Sequence, residues 1–151
     1  MLDVNSYKIL VNSFYDTIVN VPEETAGIKL SEDIWSLKEI IGHLIDSASN
    51  NHQRFVRLQF DDLLNFPPYD AEQWIRVQKY RDMNWNRLIL LWYNYNCILI
   101  NIIECMDSNS FSNVWAKDED AIRLDELVAD YYRHLRVHVQ HFENRLREIG
   151  G

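Results

Sequence analysis

"SLKEIIGHLIDSASNNHQRFVRLQF", residues 36–60, decides the fold class. It opens with Ser-Leu-Lys-Glu, the pattern of a capping box: the Ser36 hydroxyl accepts from the Glu39 amide while the Glu39 carboxylate reaches back to the Ser36 amide. Ile40, Leu44, Ile41, Ile45, Ala48, Phe55, Val56 and Leu58 then recur at helical spacing, over an arc of roughly 160°. The stretch therefore predicts a helix from Ser36 to about Phe60. His52 falls inside the apolar arc. His43 falls outside it, on a polar stripe with Ser47, Asn50 and Arg54. Periodicity makes His52 a core or interface histidine and His43 a surface one, and it does not choose between them as ligands.

Working outward, the same period predicts a helix over residues 4–20, ended by Pro22 and Gly27 in "NVPEETAG". "FDDLLNFPPYDAEQW" interrupts the pattern. Pro67-Pro68 forces extended chain, and Asp70 caps a short helix through Trp74 to Tyr80. Further long helices are predicted from about Asn84 to Met106 and from about Asp125 to Ile149, with Gly150-Gly151 as the stop. "DSNSFSN", residues 107–113, reads as polar loop, and no run alternates cleanly with the period of a strand. The expectation is one all-α domain over residues 1–151: a four-helix bundle with a longer central connection carrying a short helix.

Composition narrows the function. Fifteen Lys and Arg against 23 Asp and Glu give a formal charge of −8. Such a surface repels phosphate backbones and anionic lipid, so neither nucleic acid nor a membrane is the expected partner. "LILLWYNYNCILINII", Leu88 to Ile103, is the most apolar stretch, but it is too short to span a bilayer and holds asparagines. It reads as a buried core helix. Cys97 and Cys105 are eight apart on that helix, about 12 Å along its axis, too far for a disulfide. They read as buried reduced thiols. With no basic and apolar leader pattern in "MLDVNSYKILVNSFYD", the expected location is the cytoplasm. The five tryptophans, Trp115 among them, read as core and interface anchors.

The chemistry-bearing residues gather near the other end. "YYRHLRVHVQHFENRL", residues 131–146, holds His134, His138 and His141 at spacings of four and three, one face of a helix. They fall at the margin of that helix's apolar arc, where a side chain points into a cleft that water still reaches. Two imidazoles at i and i+4 can converge on one ion, but a third ligand must come from another element. His43 and His52 are the candidates. The same stripe would equally serve as a half-exposed row making ordinary hydrogen bonds.

These residues also carry a resemblance. "WSLKEIIGHLIDSASNNHQRF", Trp35 to Phe55, resembles the W-x7-H-L-x-D-S motif of DinB-like proteins, the DinB/YfiT superfamily, which an arginine follows. "YYRHLRVHVQHFENRL" resembles their C-terminal Y-x-x-H-x-x-x-H-x-x-H motif, and "PPYDAEQW" looks like their linker. The resemblance implies a four-helix bundle, a homodimer, and a divalent metal, nickel or zinc, held by His43, His134 and His138. It also implies transfer or isomerisation chemistry with a low-molecular-weight thiol, or metal-dependent hydrolysis, on a small-molecule substrate. The transferase members carry paired histidines in each motif. Here Gly42 precedes His43 and Val137 precedes His138, which puts the substrate class in question.

Around that site, His141 is expected either to orient a ligand or to act as an acid–base group. Asp46, three residues from His43, is expected to accept the second ring N–H of that histidine. Arg54 is a candidate for a substrate carboxylate, through its planar fork, or for an ordinary salt bridge. A rival reading makes the site structural, holding a non-enzymatic dimeric binding protein together. Completion of the ligand shell by His141 or Glu39 would favour that rival.

Overall fold

In the computed structural model, which describes residues 2–117 and 119–151, four long helices form the frame. They are α1 (Val4–Ile18), α3 (Leu37–Arg57), α5 (Trp85–Glu104) and α6 (Leu124–Gly150), with the short α2 (Glu23–Ala26) and α4 (Ala71–Gln78) between them. α3 packs against α5 and α6, and α1 packs against the same two, so the first two long helices stand diagonally across the bundle. The all-α, four-helix expectation holds.

Side-chain caps set the helix starts. Asp3 accepts from the Ser6 amide, Asp70 from Gln73 and Asn84 from Arg87, each satisfying an N–H that the helix itself leaves free. At Ser36 both halves of the capping box form, with Glu39 Oε2 2.7 Å from the Ser36 amide. The connection between α3 and α5 carries α4, as expected, then turns through Lys79 at φ 51° into a 3-10 turn at Tyr80–Asp82.

The core lies where the four long helices meet. Phe14 of α1 meets Trp92 and Phe142 edge-on, with centroids 5.1 and 5.2 Å apart, and Tyr7 stacks on Tyr132 at 3.8 Å. The buried Asn96 is satisfied within this core: its amide donates to the Trp92 carbonyl and its oxygen accepts from the Tyr131 hydroxyl at 2.8 Å.

Three expectations need correction. α5 is not buried all round, because Leu90, Leu91 and Ile98 are each about half exposed. Cys97 and Cys105 are free but exposed, since they lie on that outward side rather than in the core. A two-stranded antiparallel hairpin also precedes α6, with β1 (Val114–Lys117) paired to β2 (Asp120–Arg123). No clean alternation announces it, because its stability comes from outside itself. The Leu63 amide donates to the Val114 carbonyl and the Ala116 amide to the Leu63 carbonyl. Trp115 Nε1 donates to the Phe66 carbonyl at 2.9 Å. These bonds pin the hairpin over the C-terminal end of α3.

Among the described residues no helix is long and apolar enough to cross a membrane.

A candidate metal centre at three histidines

The polar stripe of α3 is not on the surface. It faces inward, towards α6, the hairpin and the α4 connection, and His43, Asp46, Ser47, Asn50, Asn51 and Arg54 are all buried. This reverses the assignment of the two α3 histidines from periodicity. His43 is 5 % exposed, whereas His52 is half-buried and meets Tyr95 edge-on. The wheel marks where apolar residues go. It is blind to a second buried face made of polar ones.

His43 reaches across to α6. Its Nε2 lies 3.3 Å from Nε2 of His134 and 3.2 Å from Nε2 of His138, and one nitrogen from each ring falls in a single cluster within 4.8 Å. Spacing of four on α6 supplies two of the rings, and the buried stripe of α3 supplies the third. Trp35 packs against the His43 ring, centroids 5.2 Å apart, and limits its rotation.

Burial, followed by the neighbouring imidazoles, lowers the His43 pKa to about 3 and that of His138 to about 4. Burial also lowers His134. The cluster is therefore held neutral near pH 7, the form in which imidazole nitrogens are ligands. The donor spacing fits a metal: two nitrogens bound tetrahedrally at 2.0–2.1 Å stand about 3.3–3.4 Å apart. His43 Nδ1 and His138 Nδ1 are buried without a hydrogen-bond partner. Among the described residues no fourth metal-ligating group joins the cluster.

The other expected site residues are placed as follows. Glu39 is occupied by the cap and by Lys29, 3.1 Å away, and does not complete the shell. The His141 ring stands 5.7 Å from that of His138, beside Arg145, and lines a separate cavity of about 250 Å³ with Trp35. Burial and then Arg145 lower its pKa.

Asp46 does not accept from His43. Its Oδ1 accepts from the Tyr80 hydroxyl at 2.6 Å and from Gln78 Nε2 at 2.8 Å, while its Oδ2 is buried without a partner. The reason lies at Gly42. A Cβ there would stand 2.2 Å from the Tyr80 ring, so glycine is what admits Tyr80 to Asp46. The missing histidine before His43 is thus a change of neighbour: the ring of Tyr80 lies against the position. Val137, before His138, is exposed.

Arg54 is 5 % exposed and lies under Trp115, its Cζ 3.9 Å from the ring centroid. Sequence reasoning named Arg54 but missed Trp115 as its partner, because the hairpin that brings Trp115 there was not anticipated.

No family model and no curated protein matches the chain. Solved structures do. One is YfiT from Bacillus subtilis, described as a probable metal-dependent hydrolase with an unusual four-helix bundle topology. It superposes with a TM-score of 0.84 at 15 % identity, over 97 % of this chain and 85 % of that one. Another is the mycothiol-dependent maleylpyruvate isomerase, with a TM-score of 0.72 at 13 % identity over 90 % of this chain. This chain spans only 57 % of the isomerase. The fold is shared with both. The resemblance read from the two histidine motifs is therefore borne out in fold, and the structure brings together the three histidines it singled out.

Proposed function

We propose that the protein is a divalent-metal-dependent enzyme whose His43, His134 and His138 hold nickel or zinc, and that the site activates a small thiol or a water for attack on a small electrophile. The observation that carries this reading is the convergence of three neutral imidazole nitrogens from two helices, with His43 Nε2 at tetrahedral-edge spacing from each of the other two. A structural zinc site takes four protein ligands, so a three-histidine set favours a working site over the rival structural one.

When bound, a divalent ion supplies Lewis acidity, which lowers the pKa of a water or thiol placed against it. The chain's own residues do the rest. The three histidines stay neutral as donors, Trp35 holds the His43 ring in place, and His141 acts as the acid–base group from the neighbouring cavity. The two structural neighbours are described as metal-dependent and thiol-dependent respectively, which supports both arms of the proposal. The reading further makes the protein a cytoplasmic homodimer acting on a small molecule.

Elemental analysis of protein purified without a histidine tag tests the site. About one zinc or nickel per chain is expected, lost in His138→Ala. A wild-type protein that takes up neither metal at neutral pH would defeat the reading. So would full activity on an identified substrate after EDTA treatment.

A further inference from the structure

Beside the histidine cluster lies a second cavity, of about 170 Å³, whose lining includes Arg54, Trp115, Tyr69 and His134. Arg54 is its unusual member. A buried cation is normally paired, because desolvation of the charge must be offset by a counter-ion. No ion pair among the described residues involves Arg54, and its Nε is buried with no hydrogen-bond partner. The one carboxylate among the lining residues, Asp130, is bound to Arg133 instead, 3.0 Å from its Nε.

What holds Arg54 in place is aromatic. Trp115 covers the face of the guanidinium, and Phe66 lies further off at 5.8 Å. Stacking uses the face of the group and leaves its edge, where all five N–H donors lie, available. An edge of parallel donors matches a planar carboxylate, two bonds at once. The remaining walls supply hydroxyls and an amide from Tyr69, Ser47 and Asn51. At roughly 30 Å³ per water, the volume suits an acid of a few carbons.

We propose that this cavity is a carboxylate subsite, in which Arg54 grips the acid group of the substrate edge-on while His134, on the same wall, places the reacting end of the molecule against the histidine cluster. The inference rests on reading that cluster as catalytic, and it names the substrate class: small molecules bearing a carboxylate.

Calorimetric titration of metal-free wild-type protein, at constant ionic strength near neutral pH, tests it with succinate, its uncharged diamide succinamide, and inorganic phosphate. Succinate is expected to bind about tenfold or more tightly than either of the others. Arg54→Met is expected to weaken succinate binding by about tenfold or more, and Arg54→Lys by less, because it keeps the charge but not the fork. Equal binding of succinamide, tighter binding of phosphate, no detectable succinate binding, or an unchanged affinity in a natively folded Arg54→Met would each overturn the assignment. If the arginine variants fail to fold, the wild-type preference among the three probes decides alone. Uptake of zinc and of nickel by the same wild-type preparation is measured separately. Uptake without succinate binding sinks the subsite and leaves the proposed function standing; succinate binding without uptake of either metal sinks the proposed function and, with it, the substrate role of the subsite, leaving only a carboxylate-binding cavity.

Discussion

The two faces of α3 are equally buried and do opposite things. On one, Ile40, Ile41, Leu44, Ile45, Ala48 and Phe55 lie in the core, and packing satisfies everything they present. On the other, His43, Asp46, Ser47, Asn50, Asn51 and Arg54 are taken out of water with only part of their hydrogen-bonding capacity met. Asn50 and Asn51 turn back on the helix, donating to the carbonyls of Asp46 and Ser47. His43 Nδ1, Asp46 Oδ2 and Arg54 Nε find nothing. Burial alone therefore says little about function. On α3 the distinction lies in which buried atoms are left with something still to bind, since such groups cost stability.

If that contrast is sound, damage to the apolar face is a matter of stability alone and is the largest effect available. Phe55→Ala empties a fully buried aromatic site and is expected to cost about 3–5 kcal/mol. At 2–4 °C per kcal/mol for a chain of this size, the melting temperature falls by roughly 6–20 °C. Zinc bound per folded chain stays as in the wild type, and calorimetry alongside metal analysis reads both quantities. A loss of metal in a folded Phe55→Ala protein would break the separation of the faces.

Gly42 sits where the two faces meet. Adding a methyl there drives it into the Tyr80 ring, and Tyr80 is itself only 4 % exposed, so it has little room to move. Gly42→Ala is expected to cost about 1–3 kcal/mol in overpacking. That is net of the roughly 1 kcal/mol that alanine gains over glycine inside a helix. Tyr80→Phe keeps the packing and removes only the hydroxyl from Asp46, so urea denaturation should show a smaller loss than in Gly42→Ala.

How far the sequence foretold this differs by face. The apolar face, the Ser36 cap and the limits of the long helices were legible, because hydrophobic period and capping chemistry are local. The polar face was not. His43 and Arg54 look like surface residues on a wheel, and only packing against α6 and the hairpin turns them inward. The resemblance to DinB-like motifs singled out His43, where the period alone left His52 equally open. Asp46 was expected beside His43 because both lie on one turn of helix; a tyrosine 34 positions on, admitted by a glycine, took the carboxylate instead. Trp115 over Arg54 depends on a hairpin held by Leu63 and Phe66, contacts about fifty residues distant in the chain that no local pattern encodes.

The next effect in size is a response to pH. In the metal-free protein His43 and His138 titrate at about 3 and about 4, and His134 is also lowered, whereas an unfolded histidine titrates near 6.5. Between those values the unfolded chain binds protons that the folded cluster refuses, so stability must fall as the pH drops through that window. Above about pH 6.5 the contribution is flat. Carboxylates also titrate lower in the range, so the useful quantity is the difference between wild type and His43→Leu, measured by urea denaturation in EDTA. The variant is expected to lose less stability between neutral and mildly acid pH. Parallel curves would mean that the cluster is not held neutral by burial.

The smallest effect is the most discriminating. At neutral pH, His43→Leu in the metal-free protein replaces a buried imidazole, one of whose nitrogens has no partner, by an apolar side chain of similar bulk. Removing this half-matched group frees the interior of an unpaired Nδ1 but gives up the contacts of Nε2 with His134 and His138, so the two offset and the expected change is within about 1 kcal/mol. Phe55 on the other face, no more buried in kind, costs several times that. The gap narrows once zinc is added. At a hundred times its dissociation constant the metal stabilises the wild type by about 2.7 kcal/mol, and the variant, lacking the α3 ligand, gains much less. A residue whose loss is nearly silent without metal and evident with it is held for binding and not for folding. A metal-free His43→Leu that is as damaged as Phe55→Ala would instead place His43 among the core residues, and the two faces of α3 would then differ in composition but not in purpose.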